Sequence, residues 1–120
     1  MAIDQFSERL EIIRTRFAAN LNRKIETLDH SLPELSGGGA GVIEALATAH
    51  RSVHELCGIG PTVGFVVTGQ AARSVERMLL QPLRAKRGLT DSEIVSVRNG
   101  LGALRAAARA EMQSTTPSGR

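Results

Sequence analysis

The beginning of the chain carries one uninterrupted amphipathic pattern. Over residues 3–29 apolar side chains recur every three or four positions, with charged and amide side chains between them. The recurring residues are Ile3, Phe6, Leu10, Ile13, Phe17, Leu21, Ile25 and Leu28. This spacing follows the turn of an α-helix, whereas a strand would place successive side chains on alternating faces. The segment therefore predicts one long helix with a single apolar face.

Two further helices are expected in the middle of the chain. The second covers residues 41–59, and its apolar stripe consists of Val42, Leu46, Ala49, Val53 and Leu56. Between the first two helices, residues 31–41 contain a proline and a run of glycines, which predicts a connection. The third helix begins near Val63 and runs to about Gln81, because Pro82 should end or kink it.

The start of a fourth helix is marked by a capping-box signature. Thr90 supplies a hydroxyl at the cap position, and Glu93 follows three residues later. Behind this signature an apolar stripe continues to about Met112. The polar residues 113–120 are expected to be a disordered tail.

Four helices with short connections predict an all-α fold, an antiparallel up-down-up-down four-helix bundle over residues 1–112. The chain of 120 residues suits one domain, and its 42% hydrophobic content suits a folded protein. Only three of its residues are aromatic, so the core must consist mainly of Leu, Ile, Val and Ala. Packed helices accommodate such a core.

The most informative polar residue is His54, in the second predicted helix. Counting about 100° per residue, its side chain lies roughly 120° from the centre of the apolar stripe, so it should face solvent. Gly58 lies one turn further along the same face and would leave one edge of the imidazole uncovered. The alternative is that Gly58 is only the C-terminal cap of its helix, followed by Gly60 and Pro61.

The spacing around this histidine resembles the phosphorylation segment of the histidine phosphotransfer (HPt) domain family. In that family an active histidine is followed by an aliphatic residue at plus two and by glycines at plus four and plus ten. His54, Leu56, Gly58 and Gly64 match those positions. Farther on, Ala71, Ala72, Val75 and Glu76 match the family's next helix, and the likeness covers about the central half of the chain.

The resemblance implies a four-helix bundle that relays a phosphoryl group through His54. Such a protein carries the group without autonomous catalysis, so it is not an enzyme and has no cofactor of its own. Its partners would be response-regulator receiver domains and a sensor histidine kinase, with Mg²⁺ held by the receiver. Leu56 would anchor the helix from the core, and Gly64 would give room for the third helix to begin.

One position departs from the family pattern. Many members carry a lysine three residues after the histidine, and this chain has Cys57 there. The candidates for a replacement cation are Arg51, one turn before His54, and Arg73 on the following helix. Glu76 falls where the family often keeps a polar side chain close to the histidine.

Three other interpretations stay open from the sequence. His50, His54 and Cys57 have a spacing that could hold a metal ion from one helix face, with a fourth ligand such as Glu76. His50 otherwise reads as ordinary packing or support for the site. The chain could also be an unphosphorylated helical module that binds and regulates a kinase or receiver domain. A weaker hypothesis is nucleic-acid binding through the basic cluster of Arg84, Lys86 and Arg87.

Charge and hydropathy restrict the kind of partner and the cellular compartment. A formal charge of +3 and a pI near 10 favour an acidic partner or nucleic acid, and the carboxylate cluster of a receiver domain is one acidic surface of this kind. No apolar run is long enough for a membrane span, and the start lacks the pattern of a signal peptide. The single cysteine can form no disulfide within the chain, which agrees with a reducing compartment, and the chain is expected to be cytoplasmic. It is also expected to be monomeric and to bind neither membrane nor nucleic acid.

Overall fold

Each predicted stripe belongs to an α-helix. The computed structural model describes residues 2–114, with side chains for residues 5–113. Its elements are α1 (Ala2–Ser31), a short 3₁₀ helix (Leu32–Leu35), α2 (Ala40–Thr62), α3 (Val66–Arg84) and α4 (Asp91–Ser114). The helices pack in an antiparallel up-down-up-down bundle, which confirms the predicted fold.

The core lies along the axis of the bundle and is mainly aliphatic. Its fully buried members come from every helix, from the 3₁₀ helix and from the α2–α3 turn. The largest are Phe65, Leu21, Ile25, Leu32, Leu35, Leu46, Leu56, Leu79, Leu101 and Leu104. Phe17 and Phe65 pack against each other with ring centroids 4.9 Å apart. Burial of such side chains contributes about 1.5 to 3 kcal/mol each, which makes these residues the main source of stability.

The helices extend beyond their predicted ends. α2 continues through Gly58 and Pro61 to Thr62, so Gly58 is not a helix cap, and α3 continues past Pro82 to Arg84. Each proline lies in the last turn of its helix, and the helix ends within two residues of it. A proline lacks the N–H that would donate to the carbonyl oxygen four residues earlier, so each one removes a helical hydrogen bond at that point. α4 includes two residues of the predicted tail and ends at Ser114, and residues 115–120 lie outside the described part of the chain.

The first half of α1 is uncovered, although its apolar stripe is continuous with the buried part of the helix. Residues 5–13 are all exposed, including Phe6, Leu10 and Ile13 at 69%, 37% and 48%. The side chain of Ile3 lies outside the described residues. Burial begins at Arg14, which is level with the α2–α3 turn, so the preceding residues of α1 extend about 18 Å past the level of that turn.

Arg14 joins three elements where α1 enters the bundle. Its guanidinium donates hydrogen bonds to the carbonyl oxygens of Val63 (2.6 Å) and Glu111 (3.2 Å) and lies 4.5 Å from the ring centroid of Phe65. Gly64, with φ of +91°, lies directly against this guanidinium. A side chain at residue 64 would be strained by that backbone angle and would collide with Arg14.

The first turn of α3 is capped from a distant part of the chain. The carboxylate of Glu111, on α4, accepts hydrogen bonds from the backbone N–H groups of Val67 (2.9 Å) and Thr68 (2.7 Å). It also accepts one from the Thr68 hydroxyl at 2.6 Å. These bonds satisfy donors that a helix cannot satisfy internally and place a negative charge at its positive end.

The capping box of α4 is confirmed. The N–H of Glu93 donates to Thr90 Oγ1 at 3.2 Å, and the N–H of Thr90 donates to Glu93 Oε1 at 2.8 Å. Arg87 adds two hydrogen bonds to the same carboxylate, at 2.8 and 3.0 Å. At this end the Leu89 N–H also donates to the Leu35 carbonyl oxygen, joining the two interhelical connections.

Among residues 2–114, no helix combines the length and the apolar character needed to cross a membrane.

Candidate functional site

The contact between α2 and α3 positions the candidate site. On α2, Val53 and Leu56 are buried in the core, and His54 between them consequently points away from it. The side chain of His54 is 68% exposed. On α3, Val75 is buried and the next residue, Glu76, faces α2. The apolar stripes thus bring an exposed imidazole and a carboxylate together at the bundle surface.

His54 and Glu76 form a direct hydrogen bond. The distance from His54 Nδ1 to Glu76 Oε2 is 2.5 Å. Because an ionised carboxylate can only accept, Nδ1 must carry the proton of this bond. In the neutral imidazole the other ring nitrogen, Nε2, then keeps its lone pair. The contact therefore fixes both the orientation of the ring and the nitrogen that is available to react.

Glu76 serves more than one neighbour. The Cys57 thiol donates to Glu76 Oε1 at 3.4 Å. His50 Nε2 lies 3.5 Å from Glu76 Oε2, close enough for an ion pair when His50 is protonated, but this buried nitrogen has no hydrogen-bond partner. The rings of His50 and His54 are nearly parallel, with centroids 6.2 Å apart. His50 is thus a neighbour of the pair without a hydrogen bond to it, and both of its predicted roles, packing or support for the site, stay predictions.

The surroundings of this carboxylate shift two pKa values. Partial burial acts to raise the pKa of Glu76, but hydrogen bonds from His54 and Cys57 outweigh it, so the pKa lies below its ordinary value. Glu76 is therefore ionised at neutral pH. Burial, and then the hydrogen bond to Glu76, raise the pKa of the Cys57 thiol to about 11. Cys57 is accordingly a protonated donor at neutral pH.

Gly58 leaves open space beside the imidazole. It lies within the length of α2 and is exposed to solvent, and a Cβ atom placed on it would meet nothing within 4 Å. A glycine at an exposed helix position costs about 1 kcal/mol relative to alanine, and no close contact within the described residues requires it there. The face of α2 that carries His54 is therefore unobstructed at this glycine.

The other predicted site residues lie in the core, in the α2–α3 turn and on the surface of the bundle. Leu56 is buried in the core behind His54, as expected. Gly64 lies in the α2–α3 turn, two residues before α3 begins, and against Arg14. Arg51 and Arg73 are both exposed on the site's side of the bundle. Arg73 lies near enough to Cys57 to oppose the rise in the thiol pKa, and Arg51 is one turn from His54 on α2.

The metal-site interpretation gains no support from this geometry. In the described part of the chain, no group of three or more His, Cys, Asp or Glu side chains is arranged to hold an ion. His50, His54 and Cys57 are instead arranged separately around one carboxylate. The sequence named Glu76 together with these side chains, but not the hydrogen bonds that its carboxylate makes with His54 and Cys57, because those bonds depend on the packing of α3.

Comparisons of the chain with family models, with curated proteins and with solved structures found no match. The candidate site is therefore defined by its own geometry. An exposed imidazole is oriented by a carboxylate on the face of a four-helix bundle.

Proposed function

We propose that the protein is a histidine phosphotransfer protein. It relays a phosphoryl group between response-regulator receiver domains, or between a hybrid kinase and a response regulator, in a cytoplasmic phosphorelay. The observation that carries the proposal is the imidazole of His54, 68% exposed and bonded through Nδ1 to Glu76 at 2.5 Å. The resemblance of His54, Leu56, Gly58 and Gly64 to the HPt pattern supports the same function.

The reaction uses the free lone pair of His54. Nε2 attacks the phosphorus of a receiver's aspartyl phosphate, the N–P bond forms, and the bond between phosphorus and the aspartate oxygen breaks. The electron pair leaves with the aspartate carboxylate. The proton stays on Nδ1, where the ionised Glu76 offsets the positive charge that develops on the ring. Transfer to a second receiver is the reverse of this step.

The chain contributes position and charge to this transfer. Phosphoryl transfer depends mainly on in-line geometry and on neutralising the phosphoryl oxygens. Gly58 leaves the approach to the imidazole open, and the exposed Arg51 and Arg73 are the cations proposed to take the place of the family's lysine. The receiver contributes Mg²⁺ and its own aspartate. The protein acts as a carrier and not as an enzyme.

The test is transfer of label from a phosphorylated receiver domain. The wild-type chain should acquire a label that is labile in acid and stable in alkali, as a phosphohistidine is. His54→Gln should abolish this label. His50→Gln is the matched control, since it removes the neighbouring imidazole and should keep the label.

The outcomes separate the proposal from its alternative. If no receiver domain labels the wild-type chain, or if His54→Gln is labelled as well as the wild type, the relay is excluded. A chain that stays unlabelled but still inhibits a kinase or receiver, with or without His54, is a binding module. Binding to nucleic acid that disappears with added salt would instead identify the basic surface as the functional one.

A further inference from the structure

The uncovered half of α1 carries a narrow apolar stripe. Phe6, Leu10 and Ile13 lie within about 60° of one another around the helix, and all are exposed. Phe17 continues the same stripe and is only 7% exposed, because it has entered the bundle. The stripe is thus covered by the protein's own helices at one end and uncovered at the other. Contiguous exposed apolar residues mark an interaction site more often than apolar residues that are scattered singly over a surface.

The stripe leads into a groove between α1 and α2. Ile13, Phe17, Ile59 and Val63 line the floor of this groove. Ile59 is 49% exposed although it lies next to the core. From Phe6 to Arg23, at the far rim, the surface is about 26 Å long, which accommodates nearly five turns of a second helix.

Three arginines follow one flank of the stripe. Arg9, Arg16 and Arg23 are spaced by seven residues, so they line up along α1, and all are exposed. None of them has an ion-pair partner in the part of the chain that the structure describes. The carboxylates of the same segment, Glu8 and Glu11, point to the far side of the helix.

This charge pattern selects the kind of partner. A second copy would oppose arginine to arginine in antiparallel packing, where like flanks meet. In parallel packing the arginine row would meet the other flank, which carries Ser7 and Arg14 and no carboxylate. A lipid surface suits a broad apolar face with a strongly cationic polar face, whereas this stripe is narrow and Glu8 and Glu11 lie opposite it.

We propose that the stripe of Phe6, Leu10 and Ile13, together with the α1–α2 groove, docks an amphipathic helix of a partner protein. That helix has an apolar stripe of its own, flanked by acidic side chains that pair with Arg9, Arg16 and Arg23. Ile59 lies about 140° around α2 from His54, so the docked helix leaves the imidazole accessible. The docking surface is independent of the phosphorelay function proposed for His54.

The test uses a designed helical peptide of about 18 residues, long enough to span this surface, as the probe. Its apolar heptad positions are leucine and its flanking positions are glutamate, and a matched peptide has lysine in place of glutamate. Fluorescence anisotropy at low salt should show that the wild-type chain prefers the glutamate peptide by about tenfold or more. The variant R9E/R16E/R23E should reverse this preference.

Apolar contact is tested with a second pair of variants. F6S/L10S should weaken binding of the glutamate peptide by about tenfold or more, because it removes two exposed contacts of the stripe. Ile12→Ser is the matched control. Ile12 is 51% exposed on the same segment but lies off the stripe, so its variant should bind like the wild type. These side chains are exposed, and circular dichroism should show unchanged helix content.

Three results would overturn the proposal. The first is equal binding of the two peptides, or binding that F6S/L10S leaves unchanged. The second is a wild-type dimer in sedimentation velocity that F6S/L10S converts to monomer, which would assign the stripe to a second copy. The third is stripe-dependent binding to vesicles of phosphatidylcholine and phosphatidylglycerol without peptide binding, which would assign it to a membrane. Loss of phosphoryl labelling at His54 bears on the other proposal alone.

Discussion

At the scale of single residues, Glu76 determines the chemistry of the candidate site. It holds Nδ1 of an exposed imidazole with one carboxylate oxygen and accepts from a buried thiol with the other. The imidazole is therefore oriented by a group that is itself fixed from the core side. An exposed histidine without such a partner would rotate freely and offer either nitrogen.

Substitution of Glu76 separates its charge from its geometry. Glu76→Gln keeps an acceptor for Nδ1 but removes the negative charge, and Glu76→Ala removes both. A hydrogen bond to a charged group contributes about 1.5 to 3 kcal/mol, so the alanine variant should be labelled about ten- to a hundredfold more slowly by a phosphorylated receiver. The glutamine variant should fall between it and the wild type.

The control for this prediction is Glu55→Gln. Glu55 is adjacent to His54 in the chain but pairs with Lys24 at 2.9 Å, so its loss should leave the labelling rate unchanged. If Glu76→Ala is labelled as fast as the wild type, the carboxylate does not position the imidazole for transfer.

At the scale of the helices, substitution of Gly58 in α2 should change stability and phosphoryl transfer in opposite directions. Gly58→Ala should stabilise the protein by about 1 kcal/mol, because alanine is the better helix former and its methyl group meets no neighbour. The same methyl group lies on the face of His54 and should slow phosphoryl transfer. Urea unfolding and receiver-dependent labelling measure the two effects.

Gly102 in α4 supplies the comparison. It is also exposed, and a Cβ atom there would meet nothing within 4 Å. Gly102→Ala should therefore stabilise the protein by a similar amount and leave the labelling rate unchanged. Equal labelling of both alanine variants would show that Gly58 does not serve access to His54.

The start of α4 makes stability depend on pH. Hydrogen bonds from Arg87, and then from the Thr90 backbone, lower the pKa of Glu93 to about 2. The ordinary value is about 4.3, so the folded state holds this proton less tightly than the unfolded state does. The stabilisation is present above the unfolded value and is lost as the pH falls towards 2.

Glu93→Gln should therefore cost about 1 kcal/mol near neutral pH and progressively less below pH 5. Urea unfolding between pH 6 and pH 2 measures the difference from the wild type. Asp91→Asn, which changes an exposed carboxylate of the same turn that makes none of these contacts, should produce a smaller difference. A constant difference across this range would contradict the assigned ion pair.

The helices also show what local sequence can and cannot specify. Local sequence identified the four α-helices through the spacing of their apolar residues, and the cap of α4 through Thr90 and Glu93, because both depend on neighbours within one turn. It did not identify the short 3₁₀ helix, which it placed in a connection. It failed at Pro61 and Pro82, where position within the last turn matters, and it could not foresee that Glu111 caps α3. It also could not show where the stripe of α1 stops being buried, since periodicity does not reveal how far the other helices extend.

At the scale of the whole molecule, Arg14 closes one end of the bundle. It is 7% exposed and binds carbonyl oxygens of the α2–α3 turn and of α4. Apolar periodicity does not predict this role, because an arginine on an amphipathic helix ordinarily faces water. His54 could be identified as exposed from its own helix, and the resemblance named Glu76 as its neighbour, but the hydrogen bonds that Glu76 makes depend on the packing of α3.

Replacement of Arg14 should lower the stability of the whole fold. Arg14→Leu removes donors from two carbonyl groups and should reduce the free energy of unfolding by about 2 to 4 kcal/mol. Urea unfolding of Arg16→Leu provides the reference, since Arg16 is exposed and its loss should change stability by less than about 0.5 kcal/mol. Similar losses in both variants would mean that the Arg14 contacts do not hold the helices together.

The protonated state of Cys57 has a practical consequence. The chain has no other cysteine, and this one is buried with a thiol pKa of about 11. Because thiolates are the species that react with maleimides, a cysteine engineered on the surface will take up a fluorophore or spin label in preference to the native one. Distances between the uncovered half of α1 and the bundle can thus be measured in solution with Cys57 left in place.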